Sequence, residues 1–238
     1  MHKRTLFTNT AIGAALLVGA LIMVGYGFGP AVLRHYRGDL IYLGLRHGYL
    51  VAVSMGLALA VGLPCGVVLS RPSQRRSAEY WMRIFTIGNT VPPMAVLALA
   101  MVLVGIGDTP AIIALFLASL LPIVRNVYAG LTGLPPLLLD TADAMGMSAR
   151  QRLWRVELPN ALPVILSGVR IALAINVGTA PLAFLIGASS YGELIFPGIY
   201  LNNNVTLLLG AIATAFLALT LDQLVAGIGR LMSPSGIA

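Results

Sequence analysis

Residues 140–159 read DTADAMGMSARQRLWRVELP, a polar, arginine-studded island between two long apolar segments. Ala142, Met145, Ala149, Leu153 and Val156 recur at three- and four-residue spacing. That period lines one apolar face of a helix and leaves the charges to the other. Gly146 interrupts the face, and a glycine there supplies a left-handed helix end. Ser148 with Gln151 three residues on is a capping-box pattern that starts a second helix. The stretch predicts two short helices meeting at an angle, a surface that a membrane protein rarely keeps without a partner for it.

Working outward, the flanking sequence is that of an integral membrane protein. Of the 238 residues, 58% are hydrophobic and 10% charged, against about 25% charged in soluble domains, and the mean hydropathy is +0.90. A spanning helix takes about 20 apolar residues, and six apolar segments fit, at 6–28, 49–69, 81–104, 110–131, 161–187 and 206–228. The fold class is therefore all-α, a polytopic membrane protein with six transmembrane helices and no room for a second soluble domain. The apolar run after MHKRTLF is too long for a signal-peptide core and reads as a retained first helix. Cys65 is the single cysteine, so no disulfide framework exists.

The net charge of +7 would point to nucleic acid in a soluble chain, but here the arginines gather at segment ends, where they set orientation. Lys3, Arg4, Arg71, Arg75, Arg76, Arg83, Arg150, Arg152, Arg155 and Arg230 fall on one side, and Arg34, Arg37 and Arg46 on the other. The excess places both termini and the 140–159 island in the cytoplasm. Between the last two segments, SSYGELIFPGIYLNNNV reads as a partly structured extracytoplasmic loop.

Asp140-Thr141-Ala142, then Gly146, then Val156-Glu157-Leu158-Pro159 resembles the EAA loop of the membrane subunits of binding-protein-dependent ABC importers, with matching spacing. Asp140 stands for the usual Glu, Thr141 for the first Ala and Val156 for Ile. The resemblance extends over about 47–231, including GNTVPPMAVLAL and ELPNALPVILSGVRIALAINVGTAPLAFLIGA, and is greatest to the glycine betaine, choline and carnitine permeases. It implies a type I ABC importer permease fold: residues 1–46 as an added first helix and extracytoplasmic loop, 47–231 as the permease core with a coupling loop at 135–160, and 232–238 as a short tail. It also implies the bacterial cytoplasmic membrane, ABC ATPase subunits that carry the ATP and Mg, a second permease copy or a related permease, and an external solute-binding protein. The residues it assigns to the joint with the ATPase are Asp140, Thr141, Ala142, Asp143, Ala144, Met145 and Gly146, with Arg150 beside them. Arg150, Arg152 and Arg155 suit equally a docking role or anionic lipid headgroups.

Enzymatic readings fare poorly. A phosphate-binding loop of the GxxxxGK[ST] type needs a lysine, and Lys3 is the only one. No cofactor is expected on this chain, and ATP hydrolysis falls to another polypeptide. His2, His35 and His47 lie near segment ends without ligands at metal spacing, and Ser189 and Ser190 lack a nucleophile-elbow context. Polar residues inside spans are costly and face a bundle interior or a pathway. Asn89, Thr90, Asn126, Asn176 and Thr179 are the candidates for a translocation path. Asn176, ahead of Pro181, suits equally an opened helix that offers carbonyls to solute or an interhelical hydrogen bond. Arg125 and Arg170 read as side chains snorkelling to headgroups. The pairs Gly62/Gly66 and Ala174/Gly178 read as helix-packing contacts. Trp81 and Trp154 read as interface anchors rather than an aromatic cage. Alternatives are a permease for an amino acid or sulfonate, an ion-coupled secondary transporter, which normally wants an acid in mid-membrane, and a non-transporting scaffold.

Overall fold

The computed structural model describes residues 29–88 and 90–232, so the expected span at 6–28, Asn89 and most of the tail lie outside the described residues. In chain order the helices are α1 (Pro30–His35), α2 (Arg37–Leu69), α3 (Arg75–Gly88), α4 (Pro93–Val104), α5 (Asp108–Thr132), α6 (Pro136–Ala144), α7 (Ala149–Arg152), α8 (Leu158–Thr179), α9 (Gly192–Tyr200) and α10 (Asn204–Met232). A 3-10 turn at Pro72–Gln74 precedes α3, a π turn at Leu153–Glu157 joins α7 to α8, and a 3-10 segment at Ala180–Ile186 follows α8. No strand occurs among the described residues.

Four stretches are long and apolar enough to cross a membrane: Arg37–Leu69, Asp108–Thr132, Ala149–Ile186 and Asn204–Gly229. The expected span at 81–104 is not one straight helix. Arg76–Gly88 and Pro93–Val104 meet at a 92° bend, because Pro92 and Pro93 lack the N–H groups that would continue the ladder and push the preceding residue away from helical geometry. Counted as one broken span, the pair brings the total to 5. Residues 30–46, expected as a loop, are helical instead apart from a turn at Tyr36. Leu40 and Leu43 pack on Tyr191 and Leu194, and this tertiary contact extends α2 beyond what apolar run length suggests.

α5 lies between α2 and α8, and the three bury the core: Leu50, Val51, Met55 and Ala58 against Ala111, Leu115, Ile123 and Val127, with Ile165, Val169, Ala172 and Leu173 closing the other side. Gly62 and Gly66 make this approach close. A Cβ at Gly62 would stand 2.8 Å from Ile123 Cγ2, and one at Gly66 2.5 Å from Val127 Cβ, so both positions demand the small residue that lets helix backbones approach. Ala174 and Gly178 are exposed and face away from this chain's own helices.

Charged residues lock the bundle from helix to helix. Arg46 on α2 pairs with Asp108 at the start of α5. Arg170 on α8 holds Asp222 on α10 in a fork, Nε to Oδ1 at 2.6 Å and a terminal nitrogen to Oδ2 at 2.7 Å. Arg170 therefore does not snorkel to headgroups. Desolvation between two helices favours a bidentate carboxylate, which matches guanidinium geometry.

Candidate functional site: the 135–160 loop and the polar knot

The loop at 135–160 takes the predicted local form. Pro136 occupies the first turn of α6, where its missing N–H costs nothing. The helix ends with Gly146 at φ +72°, and two hydrogen bonds close it: Gly146 N–H to Asp143 O at 2.9 Å and Met147 N–H to Ala142 O at 3.2 Å. This is a left-handed C-cap, a conformation that glycine adopts without the Cβ penalty. The Ser148–Gln151 capping box is formed in both directions, with Ser148 N–H to Gln151 Oε1 at 2.9 Å and Gln151 N–H to Ser148 Oγ at 3.4 Å. The second short helix, however, runs through the π turn directly into α8 instead of ending as a separate element.

Ion pairs missed by sequence reasoning fasten the loop to the bundle. Glu157, the acid of the Val-Glu-Leu-Pro run, is only 4% exposed. It accepts from Arg71 at 2.6 Å and from Arg152 Nε at 2.9 Å. Arg152 also grips Asp143 of α6 through both carboxylate oxygens, at 2.7 and 2.6 Å. Asp143, Arg152, Glu157 and Arg71 thus form one chain from α6, through the π turn, to the end of α2. Two guanidinium contacts, from Arg71 and Arg152, satisfy the buried Glu157, which alone would be costly to keep ionised. Charge type and sequence order gave no sign of this, since Arg71 and Glu157 are 86 residues apart. Arg152 is thereby an internal strut, while Arg150 and Arg155 remain exposed.

Of the residues assigned to the joint, Asp140, Thr141, Ala144, Met145, Gly146 and Arg150 are exposed. Ala142 is turned inward and buried, and Asp143 is exposed but held by Arg152. Leu137 at 77% and Met145 at 71% exposure, with Trp154 at 64%, give this end of the molecule a large uncovered apolar surface. Gly146 itself has open space around the position of a Cβ.

The path candidates do not converge. Thr90 is exposed beside the α3–α4 bend and bonds its own Ile87 O at 2.6 Å. Thr179 bonds Ile175 O at 2.7 Å within α8. Asn126 donates to Pro122 O at 2.8 Å and lies against Gly168, where a Cβ would be 2.3 Å from Asn126 Cβ. Asn176 is wholly buried. Its Nδ2 donates to Ser119 Oγ at 2.7 Å and Ser54 Oγ at 2.9 Å, and these hydroxyls in turn donate to Leu115 O at 2.8 Å and Leu50 O at 2.7 Å. The amide therefore ties α8 to α2 and α5 at once. Of the two roles open to it in the sequence, this geometry is the interhelical one.

One turn further on, Pro181 has no N–H for the carbonyl four residues back, Val177 O. His47 fills that role, its Nε2 3.2 Å from Val177 O. His47 is not near a span end, as its place in the sequence suggested, but wholly buried inside α2. Among the described residues no group of three or more His, Cys, Asp or Glu could hold a metal ion.

A bundle of bent and unbroken apolar helices, with a pair of short helices hung from one end by ion pairs, defines a multi-pass membrane protein. Residues 62–235 match the family described as binding-protein-dependent transport system inner membrane component, and the chain belongs to that family. It is 61% identical over 235 residues to the osmoprotectant import permease protein OsmY of Salmonella typhimurium, covering 98% of this chain and 99% of that one. It is 36% identical over 205 residues to the choline transport system permease protein OpuBB of Bacillus subtilis, covering 86% of this chain and 94% of the relative. In three dimensions it is similar to the permease fold of the inward-facing MetNI methionine ABC transporter, with a TM-score of 0.73 and 25% identity across 82% of this chain and 96% of that one. The fold is that of a type I ABC importer permease.

Proposed function

We propose that this chain is the membrane-spanning permease subunit of an ATP-driven importer for a small osmoprotectant of the glycine betaine, choline or carnitine class. The observation that carries the solute class is the 61% identity, over nearly the whole of both chains, to an osmoprotectant import permease. The amino-acid or sulfonate alternative has the weaker support of a 25% identical methionine transporter. Against an ion-coupled carrier, Asp108, Asp143, Glu157 and Asp222 are each held by an arginine, so none of them offers a free mid-membrane carboxylate.

In this reading ATP and Mg stay on partner ATPases, and the face of α6 bearing Asp140, Thr141, Ala144, Met145 and Gly146 docks there. Displacement of α6 passes through Asp143–Arg152–Glu157–Arg71 to α2 and through the unbroken π turn to α8. A second permease copy or a related permease completes the path, and an external binding protein supplies solute. The subunit sits in the bacterial cytoplasmic membrane with both termini cytoplasmic, its permease core at 47–231 and its coupling loop at 135–160. Uptake of labelled betaine, choline and carnitine is measured in cells carrying the assembled system and its binding protein, at several osmolarities. Uptake of at least one is expected; vigorous uptake of an amino acid or sulfonate with none of the three sinks the solute class.

A further inference from the structure

A cavity of about 700 Å³ opens between α3 and α5, walled by Met82, Arg83 and Ile87 on one side and Arg125, Tyr128 and Ala129 on the other. Arg83 and Arg125 have no hydrogen-bond or ion-pair partner among the described residues, whereas Arg46, Arg71, Arg152 and Arg170 each hold a carboxylate. Thr86 and Thr132, also at the rim, spend their hydroxyl protons on Met82 O and Tyr128 O of their own helices. The unspent donors are thus two guanidinium groups and the Tyr128 hydroxyl, above a floor that is otherwise mostly apolar.

Thr132 and Gly133 close the groove at the end of α5 that leads into α6. Arg125 is seven residues earlier, about 10 Å at the helical rise. α3 is strongly amphipathic and stands at 92° to α4, as a helix lying along the membrane surface does. Its exposed Tyr80 and Trp81 are residue types enriched at that surface.

We propose that this groove binds one anionic phospholipid of the leaflet on the coupling-loop side. Its phosphate is shared between Arg83 and Arg125 with Tyr128 donating, and one acyl chain covers Met82, Ile87 and Ala129. A free phosphate would satisfy the guanidinium groups but leave the apolar walls wet. Each basic residue near an anionic headgroup is worth about fivefold in affinity, so removing both charges costs roughly 30-fold.

The test is native mass spectrometry of the full chain titrated with phosphatidylglycerol and with phosphatidylcholine. Wild type is expected to prefer phosphatidylglycerol by at least about tenfold; the double variant Arg83→Gln/Arg125→Gln should lose that preference, and Arg83→Lys/Arg125→Lys should keep most of it. Equal binding of the two lipids by wild type, or an undiminished preference in the double Gln variant, overturns the site. So does displacement of the lipid by inorganic phosphate, which would make the ligand a free anion. Photoactivatable phosphatidylglycerol on wild-type protein needs no variant to fold: adducts on peptides containing Arg83 and Arg125 support the site, and adducts confined elsewhere refute it. Disulfide capture of Thr132→Cys by a second subunit would show a protein occupant and also refute it.

Discussion

Replacing Asn176 by Ala separates the two roles that its sequence position leaves open. The amide donates to Ser54 and Ser119 on two other helices, and an interhelical bond in a membrane protein is worth about 0.6 kcal/mol on average and about 1.7 at most. Two such bonds contribute about 1.2 kcal/mol, and the void left in a fully buried site adds on the order of 1 kcal/mol. Ser54 and Ser119 keep their bonds to Leu50 O and Leu115 O, so no orphaned hydroxyl adds to the loss. The expected destabilisation is about 2–3 kcal/mol in a reversible SDS-unfolding titration of the purified subunit. Thr179→Ala, which removes only bonds within α8, should stay within about 0.5 kcal/mol. Cycles pairing Asn176→Ala with Ser54→Ala or Ser119→Ala should each show a coupling near 0.6 kcal/mol. Unchanged stability together with a tenfold rise in the KM of uptake would refute the argument and return Asn176 to the solute path.

Further outcomes follow from the loop. Gly146→Ala forces a side chain into a left-handed position and should cost about 1–2 kcal/mol at the end of α6, read as faster local hydrogen exchange over 140–147. Gly146→Glu should in addition release the ATPase or uncouple transport while the spans still insert; intact assembly and solute-stimulated hydrolysis would remove the docking assignment. Glu157→Gln leaves Arg71 and Arg152 without their shared acid and should cost about 3 kcal/mol, whereas Arg71→Gln should cost less because Arg152 still holds Glu157; equal stabilities for both would refute the chain of ion pairs. For topology, Ser148→Cys should resist an impermeant thiol reagent in intact cells while Asn203→Cys reacts, and the opposite pattern inverts the orientation.

What the sequence made legible was local. Gly146 as a left-handed stop and Ser148 with Gln151 as a box depend on a few neighbouring residues, and both appear as read. The spans at 110–131 and 206–228 came close to α5 and α10 because long, predominantly apolar runs decide them. The failures share a cause, which is partnership over long sequence separation. Arg170 looked free until Asp222 was found 52 residues away, and nothing near Glu157 pointed to Arg71, 86 residues before it. Residues 37–46 looked like loop because what holds them helical is Tyr191 and Leu194, far along the chain. His47 gave no signal beyond Pro181, whose freed carbonyl it meets, and that proline was the one available clue.

The ties are unevenly distributed, and this bears on where the subunit can bend. Arg46–Asp108 joins α2 to α5 at one end, Arg71–Glu157 joins α2 to the start of α8 at the other, and Arg170–Asp222 joins α8 to α10. The Asn176 knot joins α2, α5 and α8 between them. Shearing any of these helices past another would strand a charge or an amide in a medium that cannot solvate it, so the four helices favour moving as one frame. Among the described side chains α3 and α4 make no ion pair or hydrogen bond to another helix, and α3 is held to the frame by apolar contacts of Ala78, Met82 and Phe85 with Leu69, Val124 and Leu120. Such contacts are non-directional and can be exchanged at little cost. Motion delivered at α6 would therefore turn the polar-locked frame as a body, and the elbow at Pro92 and Pro93 is where the chain can absorb the difference.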